Sequence, residues 1–179
     1  ARTIEFRPEK ELQPATAYSV KFNLGKLVKT APGQESFTFR METIRPAYAM
    51  KEYGLRSLNG SNDQMELMGI IETSDVEKGE AVQQILEASL NGDALKINWN
   101  HRESERLHEF TISPVKRTNT ASSLALSLDG ASISANITST STLKVPAIGD
   151  FMVLKVSAVQ DNESYVLVQF SDPVESSQD

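Results

Sequence analysis

Leu124-Ala125-Leu126-Ser127-Leu128-Asp129-Gly130-Ala131-Ser132-Ile133-Ser134-Ala135-Asn136-Ile137 decides the fold class of this chain. Apolar residues recur at every second position from Leu124 to Leu128 and again from Ile133 to Ile137, the period of a strand with one buried face. Asp129-Gly130 between them reads as a hairpin turn, with glycine supplying the positive φ. The same alternation runs outward in both directions. It covers Tyr18, Val20 and Phe22, then Phe37, Phe39 and Met41, then Ala49 to Leu55 and Leu67 to Glu72. Leu95 to Trp99, Phe110 to Ser113, Phe151 to Val159 and Tyr165 to Phe170 continue it. The expected class is mainly β, built of antiparallel β-sandwich domains. One stretch departs from the pattern. Val82, Ile85, Leu86, Ser89 and Leu90 stand at helical spacing, with Ser74 and Asp75 as caps before them and Asn91-Gly92 after them. This predicts a short helix near 79–90, with a bulged strand as the alternative.

Residues 1–45 supply about three strands, too few for a sandwich of about seven, and read as the closing half of an Ig-like domain. The turn Thr30-Ala31-Pro32-Gly33-Gln34 lies inside it. Arg45-Pro46 marks a boundary, because the residue before proline is pushed into extended geometry. Residues 46–146 read as one complete β-sandwich domain holding the helix. Residues 147–179 read as the opening strands of a further β-domain, with Asp161-Asn162-Glu163 as their turn. Such ends predict a piece of a longer string of domains. Strands near 151–170 pairing with those near 4–41, within one chain or between two, would rebuild a sandwich in permuted order. The simpler expectation is that the tail strands extend or cap the middle domain.

The chain has 179 residues, 39% of them apolar, and a formal charge of −6. That balance argues against nucleic acid, whose phosphates need a basic face. Cysteine is absent, which removes disulfides, thiolate metal sites and thiol nucleophiles from this segment. No apolar run reaches the length of a membrane span. No signal peptide is visible and the chain begins at Ala1 instead of Met, from which the expectation is that the natural start, with any targeting signal, has been removed.

His101 and His108 are the only histidines and flank the charged run Arg102-Glu103-Ser104-Glu105-Arg106, with Glu109 beyond it. At the ends of paired strands they could share a metal, but a third positioned ligand is needed. A solvated charged hairpin tip is the preferred reading. Trp99, the only tryptophan, is expected as a core anchor sharing a face with Ile97. Its functional alternative is a platform for a sugar or peptide. Asp161, Glu163 and Asp172 are the carboxylates that calcium could use, without the Asp-x-Asp-x-Asp spacing of a calcium loop. The triplets at Asn59, Asn136 and Asn162 match the glycosylation pattern. Serines and threonines from Thr118 to Thr142 lack the Gly-x-Ser-x-Gly elbow, and no glycine-rich phosphate loop occurs. No catalytic, cofactor-binding or metal residue is assigned, and an enzyme is not expected.

Three segments carry a family likeness. Leu12-Gln13-Pro14-Ala15-Thr16-Ala17-Tyr18-Ser19-Val20 resembles the Leu-x-Pro-x-Thr-x-Tyr-x-Val signature near the end of bacterial Ig-like domains. Phe37-Thr38-Phe39-Arg40-Met41-Glu42-Thr43 is similar to the strand that closes them, and Val168-Gln169-Phe170-Ser171-Asp172-Pro173-Val174 to the strand that opens the next. In this order, around a helix-bearing middle domain, the chain resembles the N-terminal region of a bacterial alpha-2-macroglobulin family protein. The resemblance implies a large periplasmic or membrane-anchored lipoprotein that obstructs proteases through an array of macroglobulin-like sandwiches. Many members carry a Cys–Gln thioester, which a segment without cysteine does not contain. The implied role here is scaffold and interaction surface, with neighbouring domains and target proteases as partners. An adhesin or polysaccharide-binding β-module is the alternative, and it predicts Trp99, Tyr48, Tyr53 or Tyr165 exposed beside polar residues in a groove.

Overall fold

A computed structural model describes residues 5–58, 61–160 and 163–174. The protein is mainly β, with antiparallel sheets, and divides into a unit of residues 1–46 and a unit of residues 47–179.

The first unit is a hairpin of β1 (Ala17–Phe22) and β2 (Phe37–Glu42), in a register that sets Tyr18 opposite Met41 and Phe22 opposite Phe37. Polar residues stitch its base. The Thr43 hydroxyl accepts from the Thr16 amide at 2.9 Å and donates to the Gln13 carbonyl at 2.6 Å. The Tyr18 hydroxyl accepts from the Gln13 amide at 2.7 Å. Phe37 meets the rings of Phe22 and Phe39, yet no described side chain of the hairpin is fully buried and Phe37 stays 51% exposed. Two strands alone bury too little apolar surface to be stable.

Among its described residues the second unit holds ten strands. One antiparallel sheet has the order β3 (Tyr48–Ser57), β4 (Gln64–Thr73), β8 (Leu107–Lys116), β7 (Ile97–Arg102). The other has the order β10 (Thr138–Val145), β9 (Ser122–Asp129), β5 (Leu86–Leu90), β6 (Asp93–Ala94). Alternate residues of both sheets enter one core, with Met65, Leu67, Ile71, Phe110 and Ile112 from the first and Leu86, Leu124, Leu126 and Leu128 from the second. Each such side chain contributes on the order of 1.5–3 kcal/mol through burial.

Two local expectations are corrected. The helix α1 covers only Gly79–Val82, and Leu86–Leu90 form β5. Leu86, Ala88 and Leu90 alternate as well as Val82, Ile85 and Leu86 repeat at helical spacing, and pairing with Leu128, Leu126 and Leu124 of β9 decides for the strand. Nor does α1 take a cap from Ser74 or Asp75: its flanking residue is Lys78, which makes no side-chain cap. The Asp129-Gly130 turn is also different. Gly130 is not at positive φ but opens a 3-10 turn to Ile133, and β9 pairs with β10. Glycine is needed there because a Cβ would meet the Ala135 carbonyl at 2.7 Å and the Tyr48 ring at 2.8 Å.

The tail forms β11 (Val153–Gln160) and β12 (Ser164–Phe170), which among the described residues pair only with each other. Instead of separating at 147, this hairpin belongs to the second unit. The reason is Arg117, just past β8, whose side chain is 1% exposed. Its guanidinium donates to the carbonyls of Pro146, Ala147, Asn62 and Ser171 at 2.6–3.2 Å. It also grips the Asp172 carboxylate at 2.7 and 3.2 Å. The buried Ser171 hydroxyl accepts from the Met152 amide at 2.9 Å and lies 2.8 Å from the Asp150 carbonyl. Further along, the Lys155 ammonium donates to the Glu52 carbonyl of β3 at 3.3 Å.

Arg117→Leu strands four carbonyls and a carboxylate, and is expected to lower the unfolding free energy by about 3–5 kcal/mol in urea titrations. A loss under about 1 kcal/mol, the level of an exposed ion pair, would show that water replaces the network. The hydrogen bonds from Arg117 hold the Asp172 carboxyl below its ordinary value, against the opposing effect of burial and with help from Ser171. The folded chain therefore takes up this proton at lower pH than the unfolded chain. This part of the stability is complete above about pH 4 and is lost as pH falls through the lowered folded value.

Candidate functional site

Strand parity brings a pair of ionisable rings to the core face. Ile97, Trp99 and His101 point inward from β7, as His108, Phe110 and Ile112 do from β8, and register sets His101 opposite His108. His108 is 0% exposed. The two Nδ1 atoms lie 2.9 Å apart, so one carries the proton and the other the lone pair. The Gln83 amide nitrogen faces His101 Nε2 at 3.0 Å, which makes that nitrogen the acceptor. His101 then donates through Nδ1 to His108, and the His108 proton rests on Nε2, a buried nitrogen with no protein partner.

The surroundings lock the rings. Trp99 stacks on His101 with centroids 5.5 Å apart at 10°, and leans on Phe110 at 5.7 Å. Gly79 leaves just enough room, since a Cβ there would lie 2.7 Å from His101 Cδ2. Its amide donates to Glu103 Oε1 at 2.7 Å, so the short turn Glu103–Glu105 caps α1 across the loop. That bond is the main cause holding the Glu103 carboxyl below its ordinary value; burial opposes it, and Lys78, His101 and His108 add to it.

The charged hairpin expected here exists only on the outer face. There Arg102 meets Glu105 at 2.8 Å and Glu109 at 2.9 Å, while Asn100 donates to Glu109 at 2.9 Å. The histidines are not part of that solvated tip; they belong to the core face. The sequence carried the signal, since 101 and 108 have the parity of Trp99 and Phe110. The third metal ligand is not supplied: among the described residues no three His, Asp or Glu side chains converge. Asp172 is held by Arg117, Glu163 is exposed, and Asp161 lies outside the described residues, as do Asn59 and Asn162. Asn136 is exposed in the turn after β9.

Trp99 is half-buried against the core and lines a groove of about 640 Å³ together with Gln83, Leu95 and Ile97 and with Glu87 and Ser127 of the other sheet. On the outward face of the first sheet a second depression, of about 300 Å³, gathers Tyr53, Met68, Asn98, Asn100 and Thr111. Tyr53 is 43% exposed there, with the Lys51 ammonium 5.7 Å from its ring. Tyr48 is committed to structure, its hydroxyl donating to the Ile137 carbonyl at 3.1 Å. Tyr165 stands exposed on β12.

Burial first, then the neighbouring His101, pushes the His108 ring below the ordinary histidine value, against the pull of Glu103. Between about pH 6.5 and that lowered value the unfolded chain binds more protons than the folded one. Stability is therefore full above about pH 6.5 and declines as pH falls through the folded value. Urea midpoints at pH 7.5 and 5.5 are expected to show the drop, and His108→Asn is expected to flatten it.

Comparison with protein-family models, with curated proteins and with solved structures finds no match to this chain.

Proposed function

We propose that the chain is a non-catalytic scaffold and interaction segment of a bacterial envelope alpha-2-macroglobulin-like protease inhibitor. It would act in the periplasm or at the cell surface, with its parent lipoprotein anchored through a signal outside this segment. One observation carries the reading: two hairpins have well-stitched bases and uncovered apolar strands. Phe37 is 51% exposed on β2, Val156 62% on β11 and Val166 65% on β12. The motif residues Thr16, Tyr18, Thr43 and Ser171 spend their polar groups on the backbone at those bases. Neighbouring β-domains of the same protein are the partners that such strands fit, and target proteases the second class. The test is to express the segment with the domains encoded beside it. Amide exchange at 153–160 and 164–170 is expected to slow by at least about tenfold relative to the isolated segment. Unchanged exchange, or a reading frame without a macroglobulin array, overturns the proposal.

A second reading, a polysaccharide-binding module of a cell-surface protein, is favoured by Tyr53. An exposed aromatic ring beside Asn98, Asn100, Glu109 and Thr111 offers a stacking plane and amide hydrogen bonds to a sugar. Retention on immobilised polysaccharides that Tyr53→Ala abolishes supports it; no retention on any of them sinks it.

A further inference from the structure

We propose that His101 and His108 form a proton-operated latch, which fastens the 79–83 turn and the Trp99 wall of the groove while one ring donates to the other and releases both when both rings are charged. The geometry limits the states. At 2.9 Å the Nδ1–Nδ1 gap accommodates one hydrogen, neither none nor two. In the neutral pair that hydrogen comes from His101, and the Gln83 amide donates to His101 Nε2 at 3.0 Å. A first proton has one vacant place outside the gap, His101 Nε2, and it fits once the Gln83 amide turns its oxygen to the ring. A second proton has only His108 Nδ1. It sets two N–H groups and two positive rings against each other in a site where His108 is 0% exposed.

The displaced ring has few directions in which to move. Retreat towards the turn is closed, because the space beside Gly79 is already filled by His101 at 2.7 Å from a would-be Cβ. Movement outward takes with it the stacked Trp99 and frees Gln83, two residues that line the groove. None of the charged groups around the pair bonds either ring, although the Glu103 carboxylate favours the charged form of His108. Glu103, from the turn after β7, is committed to the Gly79 amide and stands 3.8 Å from Lys78. Arg102 and Glu109, on the outer face, are paired with each other. From β4 the register neighbour of His108 is Ile71, and α1 presents Gln83 beyond its end, neither of them ionisable.

The chain has two histidines and one tryptophan, so both halves of the latch can be read without assignment ambiguity. The imidazole NMR signals of the intact chain are followed from pH 8 to pH 4.5 together with Trp99 fluorescence and amide exchange corrected for its intrinsic pH dependence. Two mutually dependent titration steps are expected. At the second, Trp99 emission changes and exchange at 79–85 and 97–102 rises by about tenfold or more, while 124–128 stays protected. His101→Asn keeps a donor at the Nδ1 position and removes one titration; it is expected to shift the His108 midpoint and to leave exchange at 79–85 flat with pH. An unshifted His108 midpoint in that variant overturns the latch. So does exchange rising equally at 79–85 and 124–128, which is global unfolding. The wild-type titration decides alone if the variant does not fold.

Discussion

A guanidinium removed from water must find a hydrogen-bond acceptor for nearly every N–H it carries, and Arg117 finds them in three separate parts of the chain. Four carbonyls and one carboxylate surround it, drawn from the loop after β3, the segment after β10 and the two residues after β12. Burying the charge alone would cost several kcal/mol. The surrounding bonds offset that cost only if all three segments are in place at once. The tail hairpin is thus a member of the second unit through polar contacts at its base, while its own strands β11 and β12 remain largely exposed.

Most strands were legible because one physical rule, alternation between a wet and a dry face, operates along nearly the whole chain. Leu124 to Leu128 fill the core on one side and leave Ser127 outside on the other, as their spacing requires. The rule fails where two periods coincide. Val82 to Leu90 satisfy a helix and a strand equally, and only the partner strand β9, remote in sequence, resolves them. Arg117 was not legible at all. Its partners are mostly backbone carbonyls, which have no sequence signature, and its carboxylate lies 55 residues away.

The histidine pair lies between these cases. Charge density suggested a solvated tip, parity pointed to the core, and each is right for one face of β7. Arg102 and Asn100 meet Glu109 outside, while Trp99 and His101 pack inside, one residue apart. Parity could place both rings on the core face, but not bring their Nδ1 atoms to 2.9 Å. That distance depends on the register of β7 against β8 and on a glycine at 79, separated from both histidines in sequence by β5 and β6.

The position of Arg117 also determines how the second unit carries mechanical load. One side chain binds residues 146–147 on one side of the β11–β12 hairpin and residues 171–172 on the other. Tension drawn along the backbone across residues 147–171 reaches the guanidinium before it reaches the ladder between the two strands. The hairpin is shielded inside a non-covalent loop, and the first bonds to yield are charge-assisted and pulled together instead of one at a time.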